Sequence, residues 1–214
     1  SLHDALPISP SGTAEPTPPV YQLTIIGGFT DAFHFYPVIV RDSIATIYLH
    51  NNMLEYGHTY YVTIDNGVLN LADGSFQGVT KEDEWIFTTK SDMPELSDTL
   101  IVDVAGKGDF NTVQGALDFI PDFNEQQTVI LVNPGDYEEL VYTRNKWNVK
   151  IKGAGMTDTK VHYANNEVFN PHPLTVKTNE WPGTFPSRRA AFMLDNCKDI
   201  VIEDMTIATD LKGQ

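Results

Sequence analysis

The chain has 214 residues, 41% of them apolar, with 29 acidic side chains against 14 basic ones and a formal charge of −15. This content is enough to bury a core, and the length allows one large domain or two small ones. The charge excludes nucleic acid, whose phosphates need Lys and Arg, and disfavours docking on anionic lipid. No run approaches the ~18 apolar residues of a membrane span, and a single cysteine, Cys197, excludes an internal disulfide without fixing the compartment.

The start, "SLHDALPISP" (1–10), has neither the basic opening nor the long apolar stretch of a signal peptide. It fits no strand or helix pattern and reads as a non-native leader outside the fold. "SGTAEPTPP" (11–19) is a Pro/Ser/Thr linker by composition. From 20 to 90 the chain reads as strands. In "TYYVTID" (59–65), Tyr60, Val62 and Ile64 alternate with Thr59, Tyr61 and Thr63, the period of a half-buried strand. "ATIYLH" (45–50) and "EWIFTTK" (84–90) are similar, and "DNG" (65–67) and "ADGS" (72–75) supply turns that need positive φ. Several short strands with such turns suggest a β-sandwich.

The stretch "LEYGHTYYVTIDNGVLNLADGSFQGV…EWIFTTK" resembles the C-terminal part of a bacterial Ig-like domain. It covers about 70 residues where such domains run nearer ~100, so the first strands are expected to be missing. Such modules space or present a neighbour, and the resemblance implies no site of its own. "KSDMPELSDT" (90–99) is polar and carries a proline, and a linker is expected over 91–99.

The second region opens on one helix, "GDFNTVQGALDFIPD" (108–122), in which Phe110, Val113, Leu117 and Ile120 fall at helical spacing. Asn111 with Gln114 reads as a capping-box start, and Pro121 stops the helix. Short strands follow at "TVILVNPG" (128–135), "ELVYT" (139–143), "NVKIKGAG" (148–155), "TKVHYA" (159–164), "AAFMLDN" (190–196) and "DIVIEDMTIAT" (199–209). The absence of further helices excludes alternating β/α. One helix followed by many short apolar strands suits a parallel β-helix whose open end the helix caps. A second β-sandwich competes, but two strands meeting at "ED" leave too short a bend for an ordinary hairpin.

From Asp103 onward the sequence resembles the pectin methylesterase (pectinesterase) family. The matching text is "GKGDFNTVQGALDFIP", "VILVNPGDYEELV", "NVKIKGAG…T", "GTFPSRRAAFMLDNCKDIVIEDMTIAT" and "KGQ", in the family's order and over about half of the chain. The resemblance implies a right-handed parallel β-helix that removes methyl esters from pectin galacturonate. It also implies an Asp nucleophile, a second Asp as general acid and base, glutamine amides at the oxyanion and an Arg holding the nucleophile, with no metal or cofactor. A carboxylate nucleophile forms a covalent acyl intermediate, its partner moves the proton, and amide donors stabilise the developing charge.

Carried over residue by residue, the resemblance gives Gln214 in "KGQ" as the first oxyanion glutamine. Thr184 in "GTFPS" is a position that touches substrate. The family's two Asp residues, its second glutamine and its Arg lie beyond the matching text, so the chain as given is expected to have no esterase activity. Trp181 and Phe185 flank Thr184 and could stack on sugar rings or pack their own loop. Arg188 and Arg189 could meet pectin carboxylates, but a solvated pair at a strand edge is the reading preferred. Asp195, Asp199, Asp204 and Asp210 sit at strand ends as turn formers rather than as a catalytic pair. Cys197 reads as a small apolar filler. The histidines at 3, 34, 50, 58, 162 and 172 show no spacing of the zinc type.

The reading is therefore an all-β chain: a linker over 1–19, an incomplete Ig-like sandwich over 20–90, and a β-helix truncated at its C-terminus over 100–214. Its function would be that of a fragment of a secreted or cell-surface pectin methylesterase. The acidity suggests a preference for esterified pectin, since bare pectin is a polyanion. A pectate lyase, which would need calcium among clustered carboxylates, and a non-catalytic glycan-binding or adhesion protein are the alternatives. A raw coil end predicts aggregation or poor cooperativity.

Overall fold

The structure, a computed structural model, describes residues 22–28, 33–41, 44–49, 53–71, 74–166, 169–170 and 190–210. Contacts divide these into two compact units, one built on Phe35–Met93 and the other on Leu23–His34 with Pro94 onward. The described residues hold one α-helix and are otherwise strands and turns, and no helix among them is long and apolar enough to cross a membrane.

The chain opens with β1 (Gln22–Thr24) and β2 (Phe33–Phe35), which pair with each other. Phe33 is buried against the ring of Tyr142 in the second unit, with centroids 4.5 Å apart. The first unit then has three separate antiparallel pairs. These are β3 (Val38–Arg41) with β4 (Ile44–Ile47), β5 (Thr59–Tyr61) with β8 (Ile86–Thr88), and β6 (Asn70–Leu71) with β7 (Gly74–Ser75). The alternation expected around β5 is present: Val62 is buried and Tyr60 and Ile64 half-buried, while Thr59, Tyr61 and Thr63 face water. Tyr60 stacks on Phe87 across the pair. The turn at Asp65–Gly67 has Gly67 at φ +78, as the sequence predicts.

In the second unit β9 (Thr99–Val102) precedes the helix α1 (Val113–Phe119). Strands then come in threes: β10 (Thr128–Val132), β11 (Gly135–Glu138) and β12 (Val141–Arg144), followed by β13 (Trp147–Gly153), β14 (Thr159–Tyr163) and β15 (Phe192–Asp195). The last two are β16 (Lys198–Glu203) and β17 (Thr206–Thr209). They assemble into three parallel sheets, ordered β16-β13-β10-β9, β11-β14-β17 and β12-β15. Each strand pairs in register with its counterpart in the next turn of chain, which is the stacking of a parallel solenoid. Leu100, Ile130, Ile151 and Ile202 lie opposite one another through four successive strands.

Inward side chains of the three sheets make one apolar core, with Leu100, Val102, Ile130, Val132, Val149, Ile151 and Val161 at or near zero exposure. The helix closes it. Val113, Ala116, Leu117 and Ile120 form an i, i+3, i+4, i+7 stripe, all buried in that core, each large side chain contributing about 2 kcal/mol. Phe110 lies before the helix rather than on it, half-buried against Phe119. The N-cap is Thr112, whose hydroxyl accepts from the Gly115 N–H, and not the expected Asn111. Gln114 does not complete a capping box; its side chain reaches Tyr142 instead. Ile120 turns extended, at φ −69 and ψ 130, as a residue before proline must.

In the second unit two strands went unread in the sequence, β9 and β11, and in the first part of the chain β1, β2, β3, β6 and β7 were not named individually, with Gly74–Ser75 of β7 read as part of a turn. The bend at "ED" is as expected: Asp204 at φ +55 turns the chain between β16 and β17.

Candidate functional site

The residues singled out for substrate and oxyanion contact, Gln214, Thr184, Trp181 and Phe185, lie outside the described residues, as do Arg188 and Arg189. One polar cluster joins the described residues that follow β14 to Ala190, which precedes β15. Asn165 donates to the Ala190 carbonyl at 2.8 Å and to the Tyr142 hydroxyl at 3.2 Å, and that hydroxyl donates to Ala190 at 2.8 Å. Asn170 donates to Asn165 at 2.8 Å and to the His34 carbonyl at 3.1 Å, and accepts from the His34 N–H at 2.7 Å. Asn165 and Asn170 are fully buried, where amides persist only when satisfied.

A second polar group stands on the outer face of the β11-β14-β17 sheet. Val161 points into the core, so its neighbours Lys160 and His162 point the other way. Register places Asp136 beside Lys160 and Glu138 beside His162. The His162 side chain is only 3% exposed. Its Nδ1 lies 2.5 Å from Asp210 Oδ2, its Nε2 lies 2.7 Å from Asp136 Oδ1, and Lys160 Nζ is 3.9 Å from an oxygen of each aspartate. Glu138, His162 and Asp210 each place a potential ligand atom within 4.8 Å of the others. His162, which showed no ligand spacing in the sequence, thus stands among three carboxylates. No linear motif signals this cluster, because its members come from three turns of chain. Only the register of the stack reveals them. Asp210 is likewise more than a turn residue, since it holds the His162 ring.

Of the remaining strand-end carboxylates, Asp199 and Asp204 are turn formers as the sequence suggests, whereas Asp195 is the last residue of β15 and makes an ion pair. Asp199 and Asp204 adopt φ of +54 and +55. Asp195 pairs with Arg144, its register neighbour, at 2.5 Å. Cys197 is half-buried, and burial raises its thiol pKa.

Under the helix lies a buried acid. Glu139 accepts the backbone N–H groups of Val113 at 2.8 Å and Gln114 at 2.9 Å. Burial pushes its carboxyl up to about 7 against the pull of those two donors, and the Asp118 charge adds to the rise. Burial likewise raises Asp118 to about 6, opposed by a hydrogen bond from Gln114. At the other end of the helix the nearly buried Lys146 ammonium donates to the Ile120 carbonyl at 2.6 Å and to Asp122 at 2.7 Å. That hydrogen bond is the main reason the Asp122 carboxyl sits below its usual range. These groups fix the cap to the first coil.

Comparison with known proteins adds the family. The family model described as Pectinesterase matches residues 99–208, just over half of the chain and nearly the whole solenoid unit. Two curated proteins of Arabidopsis thaliana are similar over parts of it. One is "Probable pectinesterase 67", 33% identical over 96 residues, which are 42% of this chain and 28% of that protein. The other is "Pectinesterase QRT1", 35% identical over 66 residues, which are 29% of this chain and 17% of that protein. The chain spans less than a third of the length of these relatives. One capping helix, three parallel sheets and a family match that begins at the first residue of β9 agree, and the chain belongs to the pectinesterase family.

Proposed function

We propose that the chain is the N-terminal part of the catalytic domain of a carbohydrate esterase that hydrolyses methyl esters of pectin galacturonate. The observation that carries this is the family match over 99–208, which coincides with a coil stack of the architecture the resemblance implied. On this reading the coils continue a right-handed β-helix, residues 20–90 are an Ig-like module that presents it, and 91–99 is the linker. The protein acts outside the cell.

In this mechanism Gln214, five residues past the end of β17, donates its side-chain amide to the oxyanion of the tetrahedral intermediate. Thr184, with Trp181 and Phe185 beside it, contacts the sugar chain. Neither the attacking carboxylate, the proton-transferring carboxylate nor the arginine of the family's mechanism maps onto these 214 residues. The 214-residue chain therefore releases no methanol from methylated pectin above a heat-killed control, whereas the gene's full product does. Turnover by the 214-residue chain would refute the assignment of the machinery. A full-length product inactive on methylated pectin would refute the esterase reading and favour a glycan-binding protein. A Gln214→Ala change in the full-length enzyme lowers kcat by about 10²–10³.

The net charge of −15 supports a preference for esterified, nearly neutral pectin. Tighter binding to the unesterified polyanion at low salt would overturn it. The lyase alternative calls for an all-oxygen calcium site. The carboxylate cluster on the solenoid has an imidazole at its centre, which suits calcium poorly.

A further inference from the structure

We propose that the described residues Leu23–Gly28 and Phe33–His34 form a strap bound in cis on the first coil of the solenoid, and that the surface beneath them, made by Asp118, Tyr142 and Asn170, is built to receive it. By its contacts this stretch belongs to the solenoid unit, although Phe35–Met93 intervenes in the chain. Each receiving residue comes from a different element. Asp118 on α1 accepts the backbone N–H of Gly27. On β12 the Tyr142 ring meets the ring of Phe33, with centroids 4.5 Å apart and neither side chain more than 1% exposed. Past β14, Asn170 exchanges two hydrogen bonds with the His34 backbone, accepting from its N–H at 2.7 Å and donating to its carbonyl at 3.1 Å. The His34 ring stands edge-on to Phe169, with centroids 5.7 Å apart.

Two features separate a fitted strap from an arm that merely lies on the surface. The first is steric. Gly27 is buried at φ +63, and a Cβ there would stand 1.7 Å from the Tyr142 carbonyl oxygen and 2.9 Å from the Thr143 Cα. The two backbones therefore touch, and only glycine admits that approach. The second is polar satisfaction. Asn170 has no exposure, and without the His34 backbone its amide nitrogen loses an acceptor and its oxygen a donor. Buried amides persist only when satisfied, so the burial of Asn170 presupposes the strap. The same amide donates to Asn165, which donates to the Ala190 carbonyl, and the strap's hold thus passes to the residue that leads into β15. The inference concerns how the chain is assembled and stands apart from the proposed activity.

The test uses two neighbouring glycines of the 214-residue chain. Gly27 and Gly28 both have positive φ, so alanine strains the backbone alike at each, but at Gly28 the nearest atom to a Cβ is the Arg144 Cγ at an ordinary 3.7 Å. A protease recognition sequence is inserted after Met93, which is 59% exposed, and cut in the folded protein. The two pieces of wild type and of Gly28→Ala should leave a gel-filtration column together, and those of Gly27→Ala should separate. In the uncut chain the His34 N–H should exchange with deuterium about tenfold faster in Gly27→Ala and Asn170→Ala than in wild type, and at the wild-type rate in Gly28→Ala. The proposal is overturned if the wild-type pieces part, if the Gly27→Ala pieces stay joined, or if the wild-type His34 N–H exchanges at the rate of an unstructured chain. The wild-type rate needs no variant, so a failure of either substitution to fold leaves that measurement decisive.

Discussion

The side chain of Gln114 and the backbone of Tyr142 exchange two hydrogen bonds: the amide nitrogen donates to the Tyr142 carbonyl at 2.9 Å, and the amide oxygen accepts from its N–H at 2.8 Å. Tyr142 lies on β12, which among the described strands pairs with β15. A primary amide presents the same donor and acceptor as a peptide group. Gln114 therefore acts as a one-residue strand, satisfying the edge of the first coil from the capping helix.

Replacing Gln114 with Leu keeps the bulk and removes both bonds to Tyr142, together with the one Gln114 donates to Asp118 at 2.8 Å. The expected loss is about 2–4 kcal/mol, read as a lower urea midpoint. An unchanged midpoint would show that Gln114 is packing rather than pairing.

Glu139 sets a pH dependence of definite sign. Its carboxyl moves from 4.5 to about 7 on folding, so between those values the folded chain keeps a proton that the unfolded chain has released. The stability this confers is complete below about 4.5 and is lost as pH rises through about 7, on the order of 3 kcal/mol. Asp118 acts in the same direction, with its share discounted because the residue is exposed. Glu139→Gln should flatten the fall in urea midpoint between pH 5 and 8; an equal slope in both proteins refutes the assignment.

Lys146 is 7% exposed and anchors the end of the helix through the Ile120 carbonyl and Asp122. Lys146→Ala should cost about 3 kcal/mol, because it orphans a buried carbonyl and removes the stem that covers it. Asp122→Asn, at a side chain 52% exposed, should cost less than about 1 kcal/mol. Thermal melts of the two variants separate these outcomes, and similar losses would show that the ion pair rather than the carbonyl matters.

Close stacking leaves no room at Gly153. A Cβ there would stand 2.2 Å from the Asp204 carbonyl oxygen and 2.8 Å from the Met205 Cβ, both in the next turn of chain. Gly153→Ala should force β13 and β16 apart, at a cost above 3 kcal/mol. Gly106, at φ +75 with nothing within 4 Å of such a Cβ, should lose only about 1 kcal/mol on the same change. Equal melting temperatures for the two variants would contradict the stacking.

Local periodicity made α1 legible, since Val113, Leu117 and Ile120 announce its buried face and Pro121 its end. The same holds for β10, where Thr128, Ile130 and Val132 point inward. β11 was illegible because only Tyr137 of "GDYE" is an inward apolar residue, and its partner β14 is distant in sequence. Thr112 lost to Asn111 as the expected cap because both are good caps and only backbone direction decides between them. The set around His162 was invisible for a deeper reason: its carboxylates come from the two coils on either side of the one that carries His162, and coil length is irregular. The family motifs were legible as text, but the residues they point to, Gln214 and Thr184, lie outside what the structure describes.

The in-register ladder through Leu100, Ile130, Ile151 and Ile202 has a mechanical consequence. Neighbouring coils share the only strong bonds along the stack, so tension on the chain does not strain the whole unit at once. It peels strands from one end, each peeled residue paying out roughly 3.4 Å of length. An optical-trap record should show a staircase of small releases, with the largest force at the step where α1 detaches.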